Sequence, residues 1–227
     1  MKILVLAAHP DDEVLGCGGT IARRARQGHD VRLVILGEGI TSRSNQREQA
    51  AASDLDRLHA TARRAAELLG VPAPRFHKLP DNRFDTLPLL EIVKIIEREV
   101  REFEPEVVYT QHGGDLNLDH VITFRAALIA TRPTSACLVR AVYAYQVASS
   151  TDWSFGQFAP EFRPQAFVNI ADTLDLKLAA MRAYESEARE FPHPRSSEAL
   201  RAAAAHCGSQ VGLTAAEAFA VVREIQS

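Results

Sequence analysis

Apolar positions along the chain alternate between short continuous runs and longer stretches of helical period. Lys2–Ala8 (KILVLAA) is apolar on both faces, as a central parallel strand should be. Helical patterning follows from about Glu13 to Gln27 and stops at Gly28. Val31–Leu36 reads as a second strand, and a long helix is expected from Asn45 to Leu69, closed by Gly70. Phe76–Leu79 and Val107–Thr110 read as further strands. Between them Leu87–Phe103 places Ile92, Ile95, Ile96 and Val100 on one helical face. A helix is expected over Val121–Thr131, strands over Leu138–Val147 and Gln165–Ile170, and three closing helices over Asp172–Glu190, Ser197–Cys207 and Ala215–Ile225.

Repeated strand–helix alternation predicts an α/β fold: a Rossmann-like, doubly wound, mostly parallel sheet with helices on both faces. The ligand site then lies outside the carboxyl ends of the strands. With 227 residues and no linker or repeat, the expectation is a single domain over 1–227. The formal charge of −3 lacks the basic excess of a non-specific nucleic-acid binder. No apolar run approaches the roughly 20 residues that span a bilayer, and the first short run ends in three acids, unlike a signal peptide. Cys17, Cys137 and Cys207 are widely spaced and odd in number, which points to a reducing compartment and a cytoplasmic location.

Two polar segments change the picture from fold to chemistry. His9-Pro10-Asp11-Asp12-Glu13 follows the first strand directly. His9 and Asp12, three apart around a tight turn, can converge on a metal ion, leaving Asp11 beside it to take a proton from water that the metal acidifies. Glu13, at a helix start, reads as a dipole partner or a group behind the ligands. The loop after the fourth strand, Gln111 to His120 (QHGGDLNLDH), can lie beside the first at a switch point of the sheet. His120 would complete a His/Asp/His set with coordination positions left open, and Asp119 could orient an imidazole.

The AHPDDE motif, the LGCGGTIA that follows it and the later DLNLDH together resemble the PIG-L (LmbE-like) superfamily of zinc-dependent N-deacetylases. The likeness extends to GEGITSR, YESEARE, FPHPRSSEAL and AAEAF, most of the chain. It implies Zn²⁺ held by His9, Asp12 and His120, Asp11 as general base, and N-acetylglucosaminyl compounds as substrates. Family members act on lipid-linked sugars, thiol-cofactor precursors and antibiotic sugars. One position departs from the pattern. Many members read His-x-Asp-His at the third ligand, the first His polarising the acyl oxygen, whereas this chain has Asn117-Leu118-Asp119-His120. His193, between Pro192 and Pro194, is the leading substitute for that oxyanion donor, with Asn117 and His112 behind it. Arg43, Arg83, Asp85, His112 and Arg195 are candidates for substrate contacts.

The expected partner is therefore a small N-acetylated sugar or conjugate, with neither nucleic acid nor stable membrane insertion; a homo-oligomer is compatible with the sequence. A metal-dependent amidase acting on a non-acetyl or non-sugar amide is the alternative. A nucleotide-binding module is disfavoured, because Gly18-Gly19 lacks the glycine spacing of a phosphate loop and the acids of 11–13 would repel a pyrophosphate.

Overall fold

A computed structural model describes residues 1–40, 52–134 and 137–226. In chain order the elements are β1 (Lys2–Ala7), α1 (Asp12–Arg26), β2 (Asp30–Gly37), α2 (Ala52–Leu69), β3 (Arg75–Leu79), α3 (Leu89–Phe103), β4 (Val107–Gln111), α4 (Leu118–Ala130), β5 (Ala141–Tyr145), β6 (Ala166–Asn169), α5 (Leu174–Ala183), α6 (Ser197–Ser209) and β7 (Ala216–Glu224). Among the described residues the strands form one seven-stranded sheet in the order β3-β2-β1-β4-β5-β7-β6. Strands β1 to β5 run parallel, with Val5 opposite both Leu33 and Tyr109; β7 is antiparallel to β5 and β6.

The strand alternation explains the two faces. Ile3, Val5 and Ala7 point into one buried cluster with side chains of α1, α2, α5 and α6, while Leu4, Leu6 and Ala8 point into another with side chains of α3 and α4. A strand buried on both faces reads as an unbroken apolar run, as this one does. Beside β1 lies β2 on one side and β4 on the other, so the order reverses there. The loops after β1 and β4 meet at that point.

One expectation fails. Ala215–Ile225 is a strand, not a helix. Its alanines and glutamates favour a helix in isolation, but Ala216–Phe219 are buried between β5 and β6, and the sheet overrides propensity. The expected helix 172–190 shortens to Leu174–Ala183. The first part of the expected helix from Asn45, like Arg43, lies outside the described residues. No helix among the described residues is long and apolar enough to cross a membrane.

Helix α1 is broken at Cys17 (φ −146°, ψ 24°), and a Cβ on Gly16 would sit 2.1 Å from the Tyr145 ring. The break frees the amides of Gly19 and Thr20. Both donate to Glu217 of β7, at 3.0 and 2.6 Å, and Lys177 of α5 completes this buried knot at 2.6 Å.

Candidate metal centre

The loops after β1, β3, β4 and β5 surround a cavity of about 440 Å³. His9, Asp11, Asp12, Asp81, Asn117, His120, Ser149, Glu187 and Arg195 are on its wall. At the floor, His9 Nδ1 and His120 Nε2 lie 3.6 and 3.3 Å from Asp12 Oδ2. A tetrahedral ion with bonds of about 2.0–2.1 Å has ligand edges of about 3.3 Å, close to the two edges that meet at Asp12, and the three ligand atoms all lie within 4.8 Å of one another.

Two observations bear on that fit. His120 is buried, and each ring nitrogen faces a carboxylate within 3.3 Å without the geometry of a hydrogen bond. Each candidate imidazole also has a carboxylate behind it. His9 Nε2 is 2.9 Å from Asp119 Oδ2 and 3.3 Å from Asp81 Oδ1, while His120 Nδ1 is 3.2 Å from Asp115 Oδ1. Carboxylates in this position fix the ring orientation of metal-bound histidines. Burial alone would lower the pKa of His120, but Asp12 and Asp115 outweigh it and push it up to about 10. Asp12 is held below the usual carboxylate range: burial opposes the charge, but His120 and His9 prevail.

The backing carboxylates are themselves anchored. Asp119 Oδ1 accepts the Phe84 amide at 2.9 Å. Asp115 accepts the hydroxyls of Ser150 and Thr151 and the Asn117 amide. Gln111 donates to Asp12 Oδ2 at 3.0 Å, as does the His9 amide at 2.8 Å.

Asp11 stands apart. It is the residue before α1, at φ 110°, and its carboxylate does not cap the helix. For a residue with a Cβ that backbone costs on the order of 1–3 kcal/mol. The carboxylate turns instead to Arg195, whose Nη1 lies 2.7 Å from Oδ2. Arg195 is also held by Ser149 Oγ at 2.8 Å and by Glu187 at 3.4 Å. Burial raises the pKa of Asp11 well above the ordinary value against the opposing charge of Arg195, and Asp12, Glu187 and Glu13 push it the same way.

The remaining expected residues scatter. Asn117 caps α4, accepting the Asp119 amide at 2.9 Å and donating to Asn82 at 2.8 Å. His193 is not on the cavity wall; it stacks edge-on against Trp153 and accepts the Arg195 amide. The Arg at the end of that Pro-flanked stretch, rather than the His, reaches the cavity. His112 is buried against Phe162 and Phe124, and burial lowers its pKa. Arg83 and Asp85 are exposed and off the wall, because Phe84 between them turns inward to the core. Asp81, Asp115, Ser149, Ser150 and Glu187 escaped the sequence reading. The first four share one signal, a position just past the carboxyl end of a parallel strand.

A family model, PIG-L: GlcNAc-PI de-N-acetylase, matches residues 4–131. The 1D-myo-inositol 2-acetamido-2-deoxy-alpha-D-glucopyranoside deacetylase of Mycobacterium sp. (strain KMS) is 30% identical, over 82% of this chain and 74% of its own. The diacetylchitobiose deacetylase of Thermococcus kodakarensis is 27% identical, over 97% of this chain and 83% of its own. The fold is also that of 4-carboxy-2-hydroxymuconate hydratase from Pseudomonas putida KT2440, with a TM-score of 0.78 and 22% identity, over 100% of this chain and 98% of the other. A matched stretch that runs from β1 to the end of α4, and so spans both loops of the cavity floor, places the chain in the PIG-L family.

Proposed function

We propose that the protein is a zinc-dependent hydrolase that removes the N-acetyl group from a GlcNAc-type amino sugar or its conjugate. The observation that carries the reading is the convergence of His9, Asp12 and His120 at a cavity floor, with the Asp11 carboxylate beside them and not spent on capping its helix. His9, Asp12 and His120 would hold the ion. When bound, zinc supplies Lewis acidity, which acidifies water and polarises an amide carbonyl.

The chain's own part is positioning and proton transfer. Asp11 accepts the proton of the attacking water and returns it to the leaving amine. Arg195, the cationic side chain on the wall among the described residues, keeps the Asp11 carboxylate turned into the cavity and offers a fixed positive charge to the developing oxyanion. Asn117 has a second amide hydrogen beyond the one given to Asn82 and is a further donor on the cavity wall. Asp119 and Asp115 keep the two imidazoles aimed at Asp12. His193 supports the Arg195 loop.

The fold alone does not select the reaction, since a hydratase shares it. The choice of amide hydrolysis rests on the two deacetylases, similar over most of this chain. Three free cysteines support a cytoplasmic setting. The test combines metal analysis with acetate and amine release from N-acetylglucosamine, N,N'-diacetylchitobiose and GlcNAc-inositol. We expect release that a chelator abolishes and Zn²⁺ restores. Undiminished release by protein shown to be metal-free sinks the proposal, and turnover confined to non-acetyl amides replaces it with the broader amidase.

A further inference from the structure

Asp11 occupies the helix-capping position without capping. An Asp there ordinarily turns its carboxylate back onto the first amides of the helix and relaxes its backbone. At Asp11 the backbone is left-handed instead, and no side-chain cap bond forms. Something else must hold the residue, and two grips are visible. Its amide donates to Glu13 Oε2 at 3.1 Å, and Glu13 Oε1 accepts the Tyr184 hydroxyl at 2.7 Å. Glu13 and Tyr184 are both buried, Tyr184 completely.

The second grip is Arg195 on the carboxylate, braced by Glu187. Both grips start from one turn. The Tyr184 carbonyl accepts the amides of Glu187 and Ala188, so the residue that holds Glu13 also fixes the turn that braces Arg195. Neither Glu13 nor Tyr184 is on the cavity wall, which leaves them no direct contact with a substrate there.

We propose that Glu13 and Tyr184 are a positioning pair that locks Asp11 in its strained, cap-free conformation and thereby sets the rate of proton transfer. The inference rests on Asp11 being the base. A base displaced by about 1 Å loses up to about 10²-fold in rate, whereas binding of the ground state changes little. Tyr184→Phe deletes one hydroxyl and keeps the ring. Glu13→Gln keeps an oxygen for the Asp11 amide and turns its amide nitrogen to the Tyr184 hydroxyl, which can accept. Glu13→Ala removes the latch.

The experiment is a cycle of Tyr184→Phe, Asp11→Asn and their double variant, assayed on the most rapidly deacetylated compound of the panel above, with bound metal measured for each. Tyr184→Phe should lower kcat about 10-fold with KM and metal content unchanged, and Glu13→Gln should recover most of the loss seen in Glu13→Ala. Because the pair acts through Asp11, the double variant should be no slower than Asp11→Asn alone. Wild-type turnover by Tyr184→Phe, loss of metal, or an undiminished Tyr184→Phe effect in the Asp11→Asn background each overturns the latch. Failure of the base assignment is seen separately, as Asp11→Asn that keeps its turnover.

Discussion

Two clusters of buried charge border the first helix, one at its start and one at its break, and they are built on opposite principles. In the knot of β7 and α5, Glu217 meets Lys177 and two amides, and Lys177 also donates to the Leu15 carbonyl at 2.8 Å. Each carboxylate oxygen has a donor. At the cavity, Asp11, Asp12, Asp81 and Glu187 share the wall with one arginine and two histidines among the described residues, and the ring nitrogens of His120 face carboxylates without the geometry of hydrogen bonds. Burying charge is costly unless protein groups compensate it. Where the chain compensates it fully the role is architectural, and where it leaves acids in excess a cation or a substrate has to finish the arrangement.

That contrast can be broken first at the knot. Glu217→Ala strands a buried ammonium and two helix amides, so it should cost about 3–5 kcal/mol in urea unfolding. The folded fraction should keep its turnover. A near-neutral substitution would mean that the knot is not the closed unit its geometry implies. Asp11→Asn should show the reverse, with turnover down about 10²-fold and metal retained. Its stability should hold or rise, because it removes one charge from a crowd of acids. Equal destabilisation by the two variants would erase the distinction. His193→Ala is the smallest test. Its ring is off the cavity wall, so turnover should fall by less than about 10-fold, against the roughly 10²–10³-fold that loss of an oxyanion donor brings. A full oxyanion-sized loss would return His193 to the centre and demote Arg195.

The parallel half of the fold was legible because its strands are buried on both faces and its helices keep period, two patterns that need no knowledge of neighbours. Residues 9–13 and 111–120 were legible for a related reason: so many acids and histidines just past strand ends serve no core. Strand β7 was hidden because its assignment depends on β5 and β6, which flank it in space but not in sequence. Arg195 and His193 were separated by a backbone direction that no pattern encodes. Asp81 and Asp115 were missed because a single acid in a loop resembles any solvated turn until its partner imidazole is placed beside it.

The capping of Gly19 and Thr20 by Glu217 also has a consequence in time. The partners are separated by 198 and 197 residues. At about 5–20 residues per second, a ribosome needs roughly 10 to 40 s to deliver the carboxylate after the amides have appeared. Throughout that interval the broken helix lacks its cap, and once β5 and β6 have been made, β6 has no neighbour to pair with and β5 presents an open edge to other chains until β7 follows. Vectorial synthesis therefore leaves the early parallel strands waiting on β7, and a chain stopped short of Glu217 would keep both amides without their acceptor and Lys177 without its counter-charge. A strand made late in the chain closes the gap that an early helix opens.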